Sequence, residues 1–319
     1  MSEQTWDRVP IDAQSVEAPL SQSAVFLVVA AKNGDAALTT IRETVASIDD
    51  LIKTVGFRDL SGRLSCVVGF GHDLWRRLSN DTLPAELRPF KPVDGPVHHA
   101  PATPGDILFH IRAERIDLCF EFERLLLSAL DDAVNVIDAV SGFRYFDARD
   151  LLGFVDGTAN PVGSDIPEAA LVGNEDPDFA GGSYVVVQKY LHDLKAWGAI
   201  GPTEQQTIIG RTIVDNVEID DDDAPRKSHK SLATIVDEQG IEHDILRDNM
   251  PFGSPARGEF GTYFIGYSRR LWVIEKMLER MFIGDPPGSY DRLLDFSTPK
   301  TGTTFFAPSR RVLTRLCGN

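Results

Sequence analysis

Apolar runs alternate along the chain with stretches in which apolar side chains recur every three or four positions, and the two patterns predict strands and helices in turn. Residues 24–31, AVFLVVAA, form a run long and apolar enough for a buried strand. A helix follows, with Ile41, Val45, Ile48, Ile52 and Val55 on one stripe. Residues 66–70 and 107–113 predict two more strands, and 116–130 returns to helical spacing. The second half repeats this grammar: a strand over 183–191, a short helix near 203–210, a strand over 261–268, then a helix with Ile274, Met277, Leu278, Met281 and Phe282 on one face. Several β segments separated by single helices predict an α+β fold of two ferredoxin-like units, each an antiparallel sheet with helices on one side, together like a dimeric α+β barrel. No sequence repeat links the halves, so the duplication rests on element order. Loops over 147–182, rich in Gly, Pro, Asp and Asn, set the boundary and give halves of 1–150 and 151–319.

Composition narrows the class of protein and its partners. With 319 residues and 42% hydrophobic content, the chain can build its core without staples. A formal charge of −16 argues against a surface that tracks a phosphate backbone, so no nucleic-acid partner is expected. Cys66, Cys119 and Cys317 are odd in number and widely spaced, which suggests neither a disulfide framework nor a thiolate zinc site. Residues 1–22 read as a polar arm without a basic region leading into an apolar core, and no later segment approaches the roughly 18 apolar residues of a membrane span. No membrane partner and a cytoplasmic location are therefore expected.

The candidate chemistry lies in turn-forming stretches. GFVDGTANP (153–161) sets one carboxylate, Asp156, between glycines, and Gly153, Gly157 and Pro161 let the backbone bend tightly beside a flat ligand. Ser228-His229 follows in a charged loop, and ILRDNMPFG (245–253) offers a permanent cation at Arg247 and an amide at Asn249. Each has an ordinary reading as well: a solvated loop histidine, a structural ion pair, an Asn in the turn before Pro251, a surface arginine at Arg211, and core packing for Phe264 and Phe282. The acidic run 218–223 reads as a solvated loop rather than a cation site. His72, His98, His99, His110, His192 and His243 lack a metal-ligand pattern, and Trp6, Trp75, Trp197 and Trp272 read chiefly as core or surface anchors.

Joined by the late YDRLLDFSTPKTGTTFF (290–306), these segments resemble in order and spacing a dye-decolorising peroxidase of the bacterial B-type subgroup, over most of the chain. The resemblance implies one haem b per chain, held between the sheet and helices of the C-terminal unit; without a CxxCH motif the attachment is not covalent. His229 resembles the axial ligand of the iron, and Asp291 or Asp295 would accept its other ring N–H, with Asp291 preferred. Asp156 and Arg247 resemble the pair on the opposite haem face. The carboxylate would move the peroxide proton, and the guanidinium would stabilise charge as the O–O bond breaks to give a ferryl species. Asn249 resembles a peroxide-binding amide and Arg211 a partner for a haem propionate, while Gly157, Phe264 and Phe282 would border the porphyrin. The chain departs at Ala159, where many members carry Glu, so manganese oxidation at that edge is not expected.

The implied activity is a haem peroxidase that reduces hydrogen peroxide and oxidises bulky aromatic electron donors, dyes and phenols, by single electrons. The alternative is a haem-handling protein for storage, delivery or iron release, and the presence of Asp156, Arg247 and Asn249 points away from it. A homo-oligomer is expected. Some relatives enter an encapsulating shell protein through a C-terminal extension, and no such tail is evident after RRVLTRLCGN.

Overall fold

The computed structural model describes residues 13–79, 82–221 and 224–318. Most of the N-terminal arm with Trp6, and Asp222 and Asp223 of the acidic run, lie outside the described residues. Ten strands build one antiparallel sheet: β1 (Ser23–Ala31), β2 (Ser65–Phe70), β3 (Ile107–Ala113), β4 (Val134–Phe143), β5 (Ser183–His192), β6 (Leu246–Arg247), β7 (Met250–Ser254), β8 (Glu259–Ser268), β9 (Ser297–Pro299) and β10 (Thr303–Ala307). Their order is β6-β8-β5-β10-β2-β3-β1-β4, with β7 also on β8 and β9 also on β5. The two halves join where β10 pairs with both β5 and β2.

Strand alternation gives the sheet two apolar faces. Phe26, Leu108, Val140, Val187, Tyr263, Ile265 and Phe305 fill the inside of the curled sheet. Their neighbours Val25, Leu27, Phe109, Ile111 and Val186 face outward into a second core beneath the helices. The curl brings β4 against β7 so closely that a Cβ on Gly142 would stand 2.6 Å from Met250 Cβ, which is why this site needs glycine. Strand β4 was not anticipated, because much of its length is exposed and breaks the apolar pattern.

Helices α1 (Asp35–Ala46), α2 (Ile48–Gly56) and α3 (Ile116–Leu130) belong to the first half, and α4 (Pro202–Ile209), α5 (His229–Ala233) and α6 (Leu271–Phe282) to the second. The single helix expected through 41–55 is α1 and α2, broken at Ser47, whose hydroxyl donates back to the Thr44 carbonyl at 2.9 Å. Ile41, Val45, Ile48 and Val55 stay buried across the break. Helix α4 opens on Pro202 and stops at Gly210 with φ +88°, a left-handed cap. Among the described residues, no helix is long and apolar enough to cross a membrane.

Candidate active site

Loop residues 150–159, α5, α6 and residues 242–249 surround a cleft against β5 and β8, about 1480 Å³ counted out to its open mouth. Much of the lining is apolar: Phe264 from β8, Ile274, Met277, Leu278 and Met281 from α6, and Leu293 and Leu294 beyond it. Asp156, Gly157, Arg211, His229, Arg247 and Asn249, which lie far apart in the chain, all line this one cavity.

His229 is the first residue of α5, behind the Ser228 N-cap, whose hydroxyl oxygen accepts the Ser231 N–H. Its Nδ1 lies 2.6 Å from Asp291 Oδ2, while Asp291 Oδ1 accepts the Leu293 N–H at 2.9 Å. Asp291 is fully buried and tied at both oxygens, so it holds the imidazole as the Nδ1–H tautomer and leaves the Nε2 lone pair free of that bond. Burial disfavours the charged ring, but the Asp291 carboxylate outweighs it and raises the His229 pKa above its ordinary value. Asp295 does not reach His229. It accepts the Tyr290 hydroxyl at 3.1 Å and meets His98 Nε2 at 2.9 Å, because the 3-10 turn from Arg292 to Asp295 turns it toward another neighbour.

Across the sequence from His229, two loops are stitched together. Asn160 Oδ1 accepts the Arg247 N–H at 2.9 Å and its Nδ2 donates to the Arg247 carbonyl at 2.7 Å, which fastens the Asp156 loop to β6. Gly157, at φ +76°, makes the left-handed turn that this loop needs. Asn249 Oδ1 accepts the Ile265 N–H at 3.1 Å, and its Nδ2 lies 3.4 Å from Asp156 Oδ1. Burial raises the Asp156 pKa, against the opposing pull of the Gly157 N–H, the Arg247 charge and Asn249. Burial likewise lowers the Arg247 pKa, offset by Asp156 and Asp244, and a guanidinium still keeps its proton. Arg247 Nη2 lies 3.9 Å from Met277 Sδ. Among the described residues no ion pair at contact distance joins Asp156 to Arg247, so the ordinary reading of a structural salt bridge does not hold.

Arg211 lines the cleft while its guanidinium pairs with Glu218 and donates to the Asn216 carbonyl. Phe282, expected beside the ligand, is fully buried in the outer core and does not line the cleft: it lies at the last turn of α6. His192 and His243, left as structural by their spacing, do line it. His192 is held by Ser297 at 2.8 Å and Thr262 at 2.9 Å, and burial lowers its pKa to about 4. Asp150 and Gln188 were also not singled out. Asp150 Oδ1 accepts the Leu152 and Phe154 N–H groups, both at 3.0 Å, and burial followed by the Asp156 charge raises its pKa to about 7. An Asp two and four residues before loop N–H groups is an Asx-turn signal, and it was available in the sequence.

Two family models match the chain: Dyp-type peroxidase, N-terminal, over residues 13–144, and Dyp-type peroxidase, C-terminal, over residues 147–312. A dye-decolorizing peroxidase of Mycobacterium tuberculosis is 51% identical over 299 residues, 94% of this chain and 89% of that protein. The crystal structure of DyPB from Rhodococcus jostii RHA1 is 57% identical, with a TM-score of 0.92 over 96% of this chain and 98% of that one, and variants of that protein have been solved in complex with heme. An encapsulated DyP-type peroxidase from Mycobacterium smegmatis, solved by cryo-EM, is 52% identical with a TM-score of 0.92, over 95% of this chain and 98% of that one. The chain belongs to the Dyp-type peroxidase family.

Proposed function

We propose that the chain binds one haem b in this cleft and uses hydrogen peroxide to oxidise bulky aromatic donors, dyes and phenols, in one-electron steps. The observation that carries the reading is the meeting, in one apolar-lined cavity, of a histidine held by a buried carboxylate with Asp156, Arg247 and Asn249. The donor set fits a metal that arrives inside a flat macrocycle. Among the described residues no group of three or more His, Cys, Asp or Glu could hold a bare ion, whereas a single imidazole nitrogen suffices for haem. Gln188 supports the fit, since its buried Nε2 on the cavity wall has no hydrogen-bond partner among the described residues.

Bound haem supplies the redox iron at which peroxide is reduced and from which donors are oxidised. His229 would hold the iron through Nε2, with Asp291 orienting the ring and increasing its basicity. Asp156 would move a proton from one peroxide oxygen to the other. Its raised pKa brings the carboxylate closer to the proton affinity that such a shuttle needs. Arg247, unpaired by Asp156, is free to stabilise negative charge that develops as the O–O bond lengthens. Asn249 would hydrogen-bond peroxide or its water through Nδ2, Arg211 would answer a propionate carboxylate, and Gly157 and Phe264 would border the ring.

The working division is 1–150 and 151–319, with the haem site in the second half. A cytoplasmic homo-oligomer is the proposed state, and the encapsulated relative makes a shell protein a candidate partner. The decisive experiment is an absorption spectrum of haem-loaded wild type and His229→Ala, before and after stoichiometric peroxide. The wild type should respond within the mixing time of a stopped-flow instrument, and the variant should lose histidine ligation. Unchanged ligation in His229→Ala would remove the axial assignment.

A further inference from the structure

One buried cluster of charge stands behind the segment that carries Arg247 and Asn249, and the proposed mechanism makes no use of it. Side chains alternate along 246–250: Leu246 and Met250 belong to the core inside the curled sheet, whereas Arg247 and Asn249 line the cleft. Asp248 follows the inner face and is 3% exposed. There Arg112 of β3, itself 1% exposed, donates from Nη1 to Asp248 Oδ2 at 3.0 Å, and Arg144 Nη2 lies 3.7 Å from Oδ1. Both arginines come from the first half. His110 completes the cluster, with Nε2 3.9 Å from Asp248 Oδ2, Nδ1 2.8 Å from the Tyr267 hydroxyl and its ring stacked on Phe26 at 4.8 Å. Burial, and then the Arg112 charge, push the His110 pKa well below its ordinary value, so the ring stays neutral and the arginines alone balance Asp248.

A buried ion pair is a poor way to stabilise a core, since apolar groups of similar volume often do as well or better. This one is not even fully hydrogen-bonded: among the described residues, Asp248 Oδ1, Arg112 Nε and His110 Nε2 have no hydrogen-bond partner. Its consequence lies in register. A one-residue slip would turn Asp248 into the cleft and Arg247 and Asn249 into the core. Backbone pairing holds this stretch through few bonds. Laddered pairing ends at Arg247 opposite Gly266 and resumes at Met250 opposite Tyr263; between them the Asp248 N–H still donates to the Ile265 carbonyl at 3.2 Å, while the Ile265 N–H goes to the Asn249 side chain instead of a backbone carbonyl.

We propose that Asp248 is a positioning residue for the peroxide step: its buried pairing with Arg112 of the first half fixes the face on which Arg247 and Asn249 stand. The functional part rests on the haem peroxidase reading above. Asp248→Asn and Arg112→Gln test it. In the haem-free proteins, amide hydrogen exchange over 245–250 should quicken by about tenfold or more, while the amides of β2 hold their wild-type protection. In the haem-loaded proteins, the peroxide rate constant per bound haem should fall by about tenfold, while the KM for the donor dye stays within about twofold. On an Arg247→Ala background, Asp248→Asn should cost nothing further, which a merely structural role would not produce. Wild-type exchange with a wild-type peroxide rate in both variants would overturn the proposal, as would a full additional loss on the Arg247→Ala background. Should Asp248→Asn fail to fold, Arg112→Lys should keep most of the peroxide rate that Arg112→Gln loses, and equal rates would count against the proposal. If the wild type itself gave no peroxide response, the functional reading would fall, while the exchange comparison would still decide whether Asp248 fixes the segment.

Discussion

Helices α3 and α6 present the same amphipathic stripe to the same kind of sheet and end in different work. On α3, Leu118, Cys119, Phe122, Leu126 and Leu130 pack directly against the outer face of the first half. On α6, Ile274, Met277, Leu278 and Met281 are equally buried residues of the core, yet they also border the cleft. The difference is what stands between helix and sheet. Over the second half, residues 150–159 at its boundary, α5 and residues 242–249 bring polar groups to that space. The ferredoxin-like scaffold therefore supplies the walls, and the inserted segments carry the candidate chemistry.

Paired substitutions can break this contrast. Arg247→Ala should slow the peroxide reaction by about 10²–10³-fold, the usual cost of removing one preorganised charge-stabilising group, with little change in stability. Asp156→Ala should cost less, about tenfold to a hundredfold, because a water can take over part of a proton transfer. Phe122→Ala should do the reverse: a loss of about 3–5 kcal/mol of stability, with the rate per folded, haem-loaded molecule unchanged. Stopped-flow absorbance and urea unfolding on the same preparations separate the two effects. A large rate loss in Phe122→Ala, or wild-type rates in both cleft variants, would mean that scaffold and chemistry are not divided as described.

A buried carboxyl gives a subtler test. Asp150 has a folded pKa of about 7, against roughly 3.9 for an unperturbed Asp in the unfolded chain. Between those values the folded protein holds a proton that the unfolded chain has released. Stability from this group is therefore present at low pH and lost as pH rises toward 7, with no further change above it. Asp150→Asn keeps an oxygen for the Leu152 and Phe154 N–H groups and cannot ionise. The haem-free variant should thus gain stability relative to wild type between pH 5 and pH 8. A difference that does not grow with pH would show that Asp150 is ionised throughout this range.

The sequence made some parts plain and hid others for physical reasons. Strands β1, β2, β3, β5 and β8 and helices α3 and α6 were legible because burial imposes an uninterrupted or strictly periodic apolar pattern. Strand β4 was not, since residues such as Val136 and Ile137 are exposed and alternation fails. Asp156, His229, Arg247 and Asn249 lie in turn-rich stretches where each also had an ordinary reading, and the family resemblance is what marked them as site residues. Asn160 and Gln188 did not, because one acts through the backbone of a residue 87 positions away and the other sits on a strand where a polar residue has no local signature. Phe282 shares its stripe with Met281, and only the three-dimensional extent of the cleft tells them apart. Between Asp291 and Asp295, spacing could not decide; the cap of a short turn did.

The smallest effect concerns the surface that both halves share. With a net charge of −16, the protein should repel anionic dyes near neutrality. Added salt shortens the Debye length from about 10 Å at 0.1 M to about 3 Å at 1 M, so it should improve kcat/KM for an anionic dye by a few-fold while leaving a neutral phenol unchanged. Lowering the pH into the mildly acid range reduces the repulsion as the more weakly acidic carboxyls protonate, and it should favour the anionic dye over the phenol in the same sense. With the peroxide step at the proposed site inside the cleft, its rate constant should respond much less to salt. Equal salt sensitivity for dye, phenol and peroxide would place the effect at the haem cavity rather than at the acidic surface.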